Sequence, residues 1–98
     1  MSITELKRRL TPGTPLRLVA SMLGPVAPEK QPRIVVAVRS RDIIMRTPEG
    51  KQTYLGFQSG DKVAETPTGF VVYYRNPGSP DPPYILGAEY AWEEVSRG

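Results

Sequence analysis

Apolar residues fall in short alternating runs along most of the chain, and only the first ten residues follow a helical period. Ser2-Ile3-Thr4-Glu5 has the spacing of a capping box, in which the Ser2 hydroxyl takes the Glu5 N–H and Glu5 reaches back. Beyond it Ile3, Leu6 and Leu10 share one face, with Lys7 and Arg8 turned elsewhere. The spacing predicts a short amphipathic helix over about residues 2–10, stopped by Thr11-Pro12-Gly13. So short a helix is marginal alone and must dock its apolar residues on the body or on a partner.

The period then falls to two. Over residues 15–23, Leu16, Leu18, Ala20 and Met22 share one face, and Arg17, Val19 and Ser21 the other, as in a half-buried strand. Residues 24–32 carry three prolines and read as a long exposed loop. The strongest strand signal covers 33–40, with Ile34, Val36 and Val38 on one side and Val35, Ala37 and Arg39 on the other. Strands over 42–47 and 51–57 follow, joined by Pro48-Glu49-Gly50, whose proline and glycine suit a short hairpin with a bulge. Residues 58–61 turn, 62–66 form a weak strand, and Pro67-Thr68-Gly69 leads into a run over 70–75 that is β by composition. A second proline-rich loop, 76–83, precedes a strand over 84–90. Residues 91–95 either extend that strand or form one helical turn, and 96–98 are expected to fray.

This pattern predicts a single mostly β domain over 1–98. The expected architecture is a small antiparallel SH3-like barrel of five to six strands with a short N-terminal helix. A small sandwich or an OB-like barrel is the alternative, because an open sheet of this size leaves faces and edges bare.

Composition narrows the chemistry more than the fold. Without cysteine there is no disulfide, thiolate nucleophile or thiolate metal site, and a reducing compartment is favoured. Without histidine, the serine–histidine–aspartate triad and every histidine metal site are excluded. No apolar run approaches signal-peptide or membrane-span length, so a cytoplasmic protein with no membrane contact is expected. No loop resembles a calcium-binding or phosphate-binding motif, and nothing brings two carboxylates convincingly into one cleft. No catalytic residue, metal or cofactor is therefore assigned, and a carboxylate-dependent enzyme is only the third reading.

Charge is uneven. Residues 1–51 hold ten basic and four acidic side chains, a balance of +6, and residues 52–98 hold three basic and six acidic, a balance of −3. Such asymmetry suits an anionic partner or a self-complementary surface. For nucleic acid the candidates are Lys7, Arg8, Arg9, Arg33, Arg39, Arg41 and Arg46, with Arg39 and Arg41 in one strand phase if the segment stays extended. Tyr54, Phe57, Tyr73, Tyr74 and Tyr84 would offer stacking surfaces. For a protein partner the candidates are Tyr73, outward if Phe70, Val72 and Tyr74 are buried, and the acidic-aromatic group Tyr90, Trp92, Glu93 and Glu94. The competing role of Trp92 is to close one end of the barrel.

The leading expectation is a non-enzymatic binding module acting through protein–protein contacts, as a monomer or homodimer. An accessory protein of phage, plasmid or bacterial origin that docks on or inhibits a larger complex would have this character. The alternative is a nucleic-acid-binding small barrel that uses a basic strand face.

Overall fold

The structure is a computed structural model and describes residues 1–76, 78 and 83–93. It is mostly β, with one α-helix, α1 (Ile3–Arg9), at the N-terminus. The strands are β1 (Pro15–Ser21), β2 (Gly24–Pro25), β3 (Pro32–Val38), β4 (Asp42–Arg46), β5 (Gln52–Gly56), β6 (Lys62–Glu65), β7 (Gly69–Arg75) and β8 (Tyr84–Trp92). All pairings are antiparallel, in the order β5-β4-β3-β1-β8-β7-β6, with β2 folded back on β1. Among the described residues eight strands replace the expected five to six, and the sheet they form does not close: β5 and β6 are its two edges.

The helix forms as its sequence predicts. Ser2 Oγ accepts from the Glu5 N–H at 3.1 Å, and Leu6 and Leu10 are fully buried. It sits against the concave face of the curled sheet and touches both flanks of the opening. Lys7 Nζ donates to the Ser40 carbonyl between β3 and β4 and lies 5.8 Å from the Phe57 ring, just after β5. Arg9 pairs with Glu65 of β6 at 2.6 Å and stacks its guanidinium 4.6 Å from the Trp92 ring. Leu6 and Leu10 thus fill the core together with Leu16, Val35, Ile43, Met45, Leu55, Val63, Phe70, Val72, Ala88 and Tyr90. Every long strand contributes to that one core.

Three bulges explain where strict alternation fails. β1 has an extra residue at Val19, β3 at Val36 and β8 at Gly87. An extra residue bends its strand, increases twist and flips the side-chain phase beyond it. On β3 the flip turns both Val35 and Val38 toward the core, although a regular strand would put them on opposite faces. On β8 it sends Leu86 outward while Ala88, Tyr90 and Trp92 stay on the core side. The expected face of four on β1 ends at Leu18: beyond the Val19 bulge Ala20 pairs with Glu89, on the face opposite Tyr90, and Met22 lies in the turn after Ser21 and is exposed.

The stretch over 24–32 is also more ordered than a proline-rich loop suggests. Gly24 and Pro25 pair with Ser21 and Ala20, and residues 28–30 make one 3-10 turn. The Val26 N–H donates to Val19 O at 2.9 Å, and the Leu18 N–H to Gln31 O at 2.7 Å, which ties the loop to β1. Between β4 and β5 the Pro48-Glu49-Gly50 turn has the expected geometry, with Gly50 at a φ of 82° and its N–H bonded to Thr47 O. Most of the second proline-rich stretch, 76–83, lies outside the described residues.

Where β7 meets β8 the backbones approach so closely that only glycine fits. A Cβ on Gly69 would overlap the Tyr90 carbonyl oxygen and the Ala91 backbone, neither of which is the end of a flexible side chain. Gly69→Ala is expected to lower unfolding free energy by about 2 kcal/mol or more through forced separation of the two strands. Gly56→Ala, whose added Cβ meets nothing within 4 Å, should stay within about 0.5 kcal/mol of the wild type. Urea unfolding of both variants checks the contrast, and equal stabilities would contradict this packing.

Candidate functional site

The unclosed seam leaves a cleft of about 420 Å³ between the end of β5 and the end of β7. Its lining comes from four places: Arg41 and Asp42 at the β3–β4 corner, Tyr54, Gly56, Phe57 and Gln58 along and after β5, Asp61 before β6, and Tyr74 and Arg75 on β7. None of these segments could build the cleft alone, since they meet only because the sheet curls.

Two glycines shape its wall. A Cβ on Gly87, the bulge residue, would lie 2.6 Å from the Tyr74 ring, so that ring rests on bare backbone. Gly60 has a φ of 93°, and a Cβ there would lie 2.7 Å from Arg75 Cδ, so the arginine stem crosses the turn where no side chain stands. Tyr74 is half-buried, and its hydroxyl pKa is pushed upward by burial and then by nearby Asp61. It is therefore a neutral phenol over the whole physiological range.

The two carboxylates of the cleft are already engaged. Asp42 takes two hydrogen bonds from Arg39, each 2.7 Å long. Those bonds hold its carboxyl below the usual carboxylate range, with Lys7 adding a smaller pull. Asp61 Oδ2 accepts the Gln58 N–H at 2.8 Å and Oδ1 accepts the Arg75 N–H at 3.0 Å, fixing the turn between β5 and β6 to β7. The cleft lining thus holds two acids that nothing in the sequence brings together, and both act as structural acceptors. Among the described residues no group of three or more acidic side chains is placed to hold a metal ion.

The basic residues do not form one stripe. Arg39 follows β3 and Arg41 precedes β4, so they lie in a tight corner rather than share an extended strand. Arg39 is spent on Asp42, and Arg9 on Glu65 and Trp92. Arg33 is half-buried and donates to the Lys30 and Pro32 carbonyls, with its Nε buried and unpartnered. Arg8 and Arg46 point to solvent on α1 and at the end of β4. Of the seven basic residues picked out from the sequence, Arg41 lines the cleft, and Lys7 and Arg39 stand at its rim through Phe57 and Asp42; the other arginine of the lining, Arg75, was not among them.

The acidic-aromatic group also divides. Tyr90 is 6% exposed, stacks on Phe70 at 5.2 Å, and burial pushes its hydroxyl pKa well upward. Trp92 turns inward, 5.3 Å from Phe70 and beneath Arg9, and so closes that end of the core. Glu93 is exposed and pairs with Arg17 at 3.4 Å. Trp92 and Glu93 also line a shallow recess of about 440 Å³ with Arg17 and Thr68. Glu94 lies outside the described residues, as does Asp81.

Tyr73 does lie outward, as its phase relative to Phe70, Val72 and Tyr74 requires, although Val71 on the same side is covered. It stands in register with Leu86 on β8 and Lys62 on β6. Ser21 of β1 pairs with Ala88, so the β1–β2 turn emerges at the same end of the sheet as Leu86. That turn consists of Met22 and Leu23, and Leu23 is 99% exposed. Of the six large apolar side chains exposed among the described residues, strand register places four at this end of the sheet: Met22, Leu23, Tyr73 and Leu86. Sequence reasoning found Tyr73 but missed the others, because Leu86 is turned out by a bulge and Met22 was assigned to a strand face.

The class that this architecture defines is an open antiparallel β-sheet curled around one short helix. No protein-family model, no curated protein and no solved structure matches the chain. No helix among the described residues is long and apolar enough to cross a membrane.

The Arg39–Asp42 pair has a pH signature. Because the folded-state pKa of Asp42 is lowered, its stabilisation is present above the unfolded value of about 4 and is lost as pH falls through the lower folded value. The melting-temperature gap between the wild type and Asp42→Asn should therefore be largest near neutrality and shrink as pH is taken below about 4. Melting curves across that range check it, and a gap that widened in acid would contradict the assignment.

Proposed function

We propose that the protein is a non-enzymatic, SH3-like binding module that works in the cytoplasm through protein contacts. The observation that carries this reading is the apolar end of the sheet. Water-facing turns ordinarily take polar residues or glycine, and the backbone here makes no demand for apolar ones: neither Met22 nor Leu23 has a positive φ, and Gly24 supplies the left-handed position at a φ of 112°. Here the turn carries Met22 and Leu23, with Leu23 wholly exposed. Neither side chain helps the turn to form, and both cost solubility. Tyr73 and Leu86 extend the same surface, and Lys62, which lies 4.6 Å over the Tyr84 ring, sets a charge at its rim. An apolar centre with a tyrosine and a polar edge is the composition of an interface anchor.

The engaged state of Asp42 and Asp61 supports the non-enzymatic part. A carboxyl held below its usual range by a paired arginine is a poor proton donor near neutrality, and Asp61 has an N–H on each oxygen. The absence of cysteine supports a reducing compartment. Docking on, or inhibiting, a larger complex is the mode such an anchor suits, and an accessory protein of phage, plasmid or bacterial origin would use it so.

Leu23→Asp and Tyr73→Ala test the reading. Both side chains lie outside the core, so each variant should melt within a few degrees of the wild type. Affinity capture from the source cell should recover a partner with the wild type and lose it with Leu23→Asp. Tyr73→Ala should weaken the same complex by about tenfold or more, the usual scale for an interface tyrosine. Recovery of the same proteins in equal amount by both variants would refute the apolar end as the contact.

A further inference from the structure

We propose that the cleft at the open seam is a second binding site, for single-stranded nucleic acid, separate from the apolar end. Bases would stack on Tyr54 and on the exposed edge of Tyr74, while phosphates would meet Arg41 and Arg75.

Three features of the site point to that ligand. The first is its pairing of flat rings with guanidinium groups. Tyr54 is 61% exposed on the edge strand β5, and Phe57 and Tyr74 complete an aromatic lining. Base stacking on such rings tolerates any sequence, because every base has a π-face.

The second is charge. Four cations, Lys7, Arg39, Arg41 and Arg75, surround the cleft against two carboxylates, Asp42 and Asp61, which leaves a balance of +2. Asp42 is paired with Arg39, and Asp61 accepts two backbone N–H groups; neither carboxylate is bonded to the guanidinium of Arg41 or Arg75. No partner for the guanidinium of Arg41 or Arg75 is found among the described residues. A guanidinium beside an aromatic face with no internal acceptor suits a phosphate.

The third is that the cleft is built. Gly87 makes room for the Tyr74 ring, and Gly60 makes room for the Arg75 stem; a side chain at either position would displace the group that lines the wall. The cleft is also open along the seam, where β5 and β6 leave the sheet unpaired, so a chain can enter and leave at its ends. A duplex is too wide for a recess of about 420 Å³, whereas one or two bases fit.

The probe is a fluorescein-labelled oligothymidylate followed by fluorescence anisotropy at about 50 mM and about 150 mM salt, with a duplex of equal length beside it. Wild-type protein should bind the single strand more tightly than the duplex and lose affinity as salt rises. Arg41→Glu and Tyr54→Ala, both at exposed positions, should each weaken binding by about tenfold or more, the scale of one stacked base or one phosphate contact. Arg8→Glu and Arg46→Glu make the same charge change away from the cleft and should weaken it by less than about threefold. Circular dichroism melts of all four variants establish that each is folded.

No binding at the lower salt would overturn the proposal. So would equal losses in all three arginine variants, since the attraction would then be generic charge. Thymidine monophosphate that bound as tightly as the oligomer would replace the strand by a single nucleotide. An anisotropy signal indifferent to Tyr54→Ala and Arg41→Glu would leave the cleft to a peptide strand on the β5 edge and refute the site.

Discussion

Everything in this fold depends on the burial of Leu6 and Leu10 beneath a sheet that has not closed. A curled sheet of short strands has a concave apolar face that must be dry, and here the seam between β5 and β6 would admit water to it. Helix α1 blocks that route. Its two leucines are without solvent exposure, and burial of each is worth roughly 2 kcal/mol relative to exposure. Lys7 and Arg9 then fasten the helix to opposite flanks, one at the β3–β4 corner and the other at β6. These polar ties are exposed and individually weak, so they orient the helix rather than hold it. The leucines hold it.

Much of this was legible in the sequence because it follows local rules. The capping box at Ser2 and the 3,4 spacing of Ile3, Leu6 and Leu10 specify α1 without reference to anything distant. Pro48-Glu49-Gly50 specifies the β4–β5 turn, and the run over 70–75 specifies β7 together with the outward position of Tyr73. What could not be read are the bulges. Val19 and Val36 look like any other β-branched residue in a strand, and their unpaired state is decided by the neighbouring strand. Gly87 is a weak signal of a bulge, but its meaning depends on Tyr74, thirteen residues earlier. The two-residue strand β2 was likewise hidden, since a Gly-Pro pair has little β preference, yet Gly24 and Pro25 pair with Ser21 and Ala20.

The sites were less legible than the fold for the same reason. Charge counts along the chain suggested a basic stripe, yet four of the eight described arginines are consumed by the structure: Arg9 by Glu65, Arg17 by Glu93, Arg33 by loop carbonyls and Arg39 by Asp42. Arg75 sits in the acidic half of the sequence, but curling of the sheet brings it into the lining of the same cleft as Arg41 from the basic half. Polarity along a chain does not survive when the strands that carry it are interleaved in space. Trp92 illustrates the converse: acidic neighbours made it look like a surface anchor, while the phase of β8 with Tyr90 and Ala88 turns it to the core.

The bulge at Gly87 joins the two surfaces of the molecule. By adding one residue to β8 it puts Leu86 outward in register with Tyr73, and so helps to make the apolar end. By carrying no Cβ it also leaves a flat patch of backbone on which the Tyr74 ring lies, and so helps to make the cleft wall. Tyr73 and Tyr74 are consecutive on β7 and therefore face opposite sides of the sheet at this one point. A methyl group at position 87 would press on the Tyr74 ring from 2.6 Å, and that ring both packs against the core and lines the cleft, so its displacement would disturb the cleft wall. Any relief by movement of β8 would instead alter the pairing of Leu86 with Tyr73. The two surfaces are thus not independent decorations on a finished scaffold; they are the two sides of one irregularity in one strand pair.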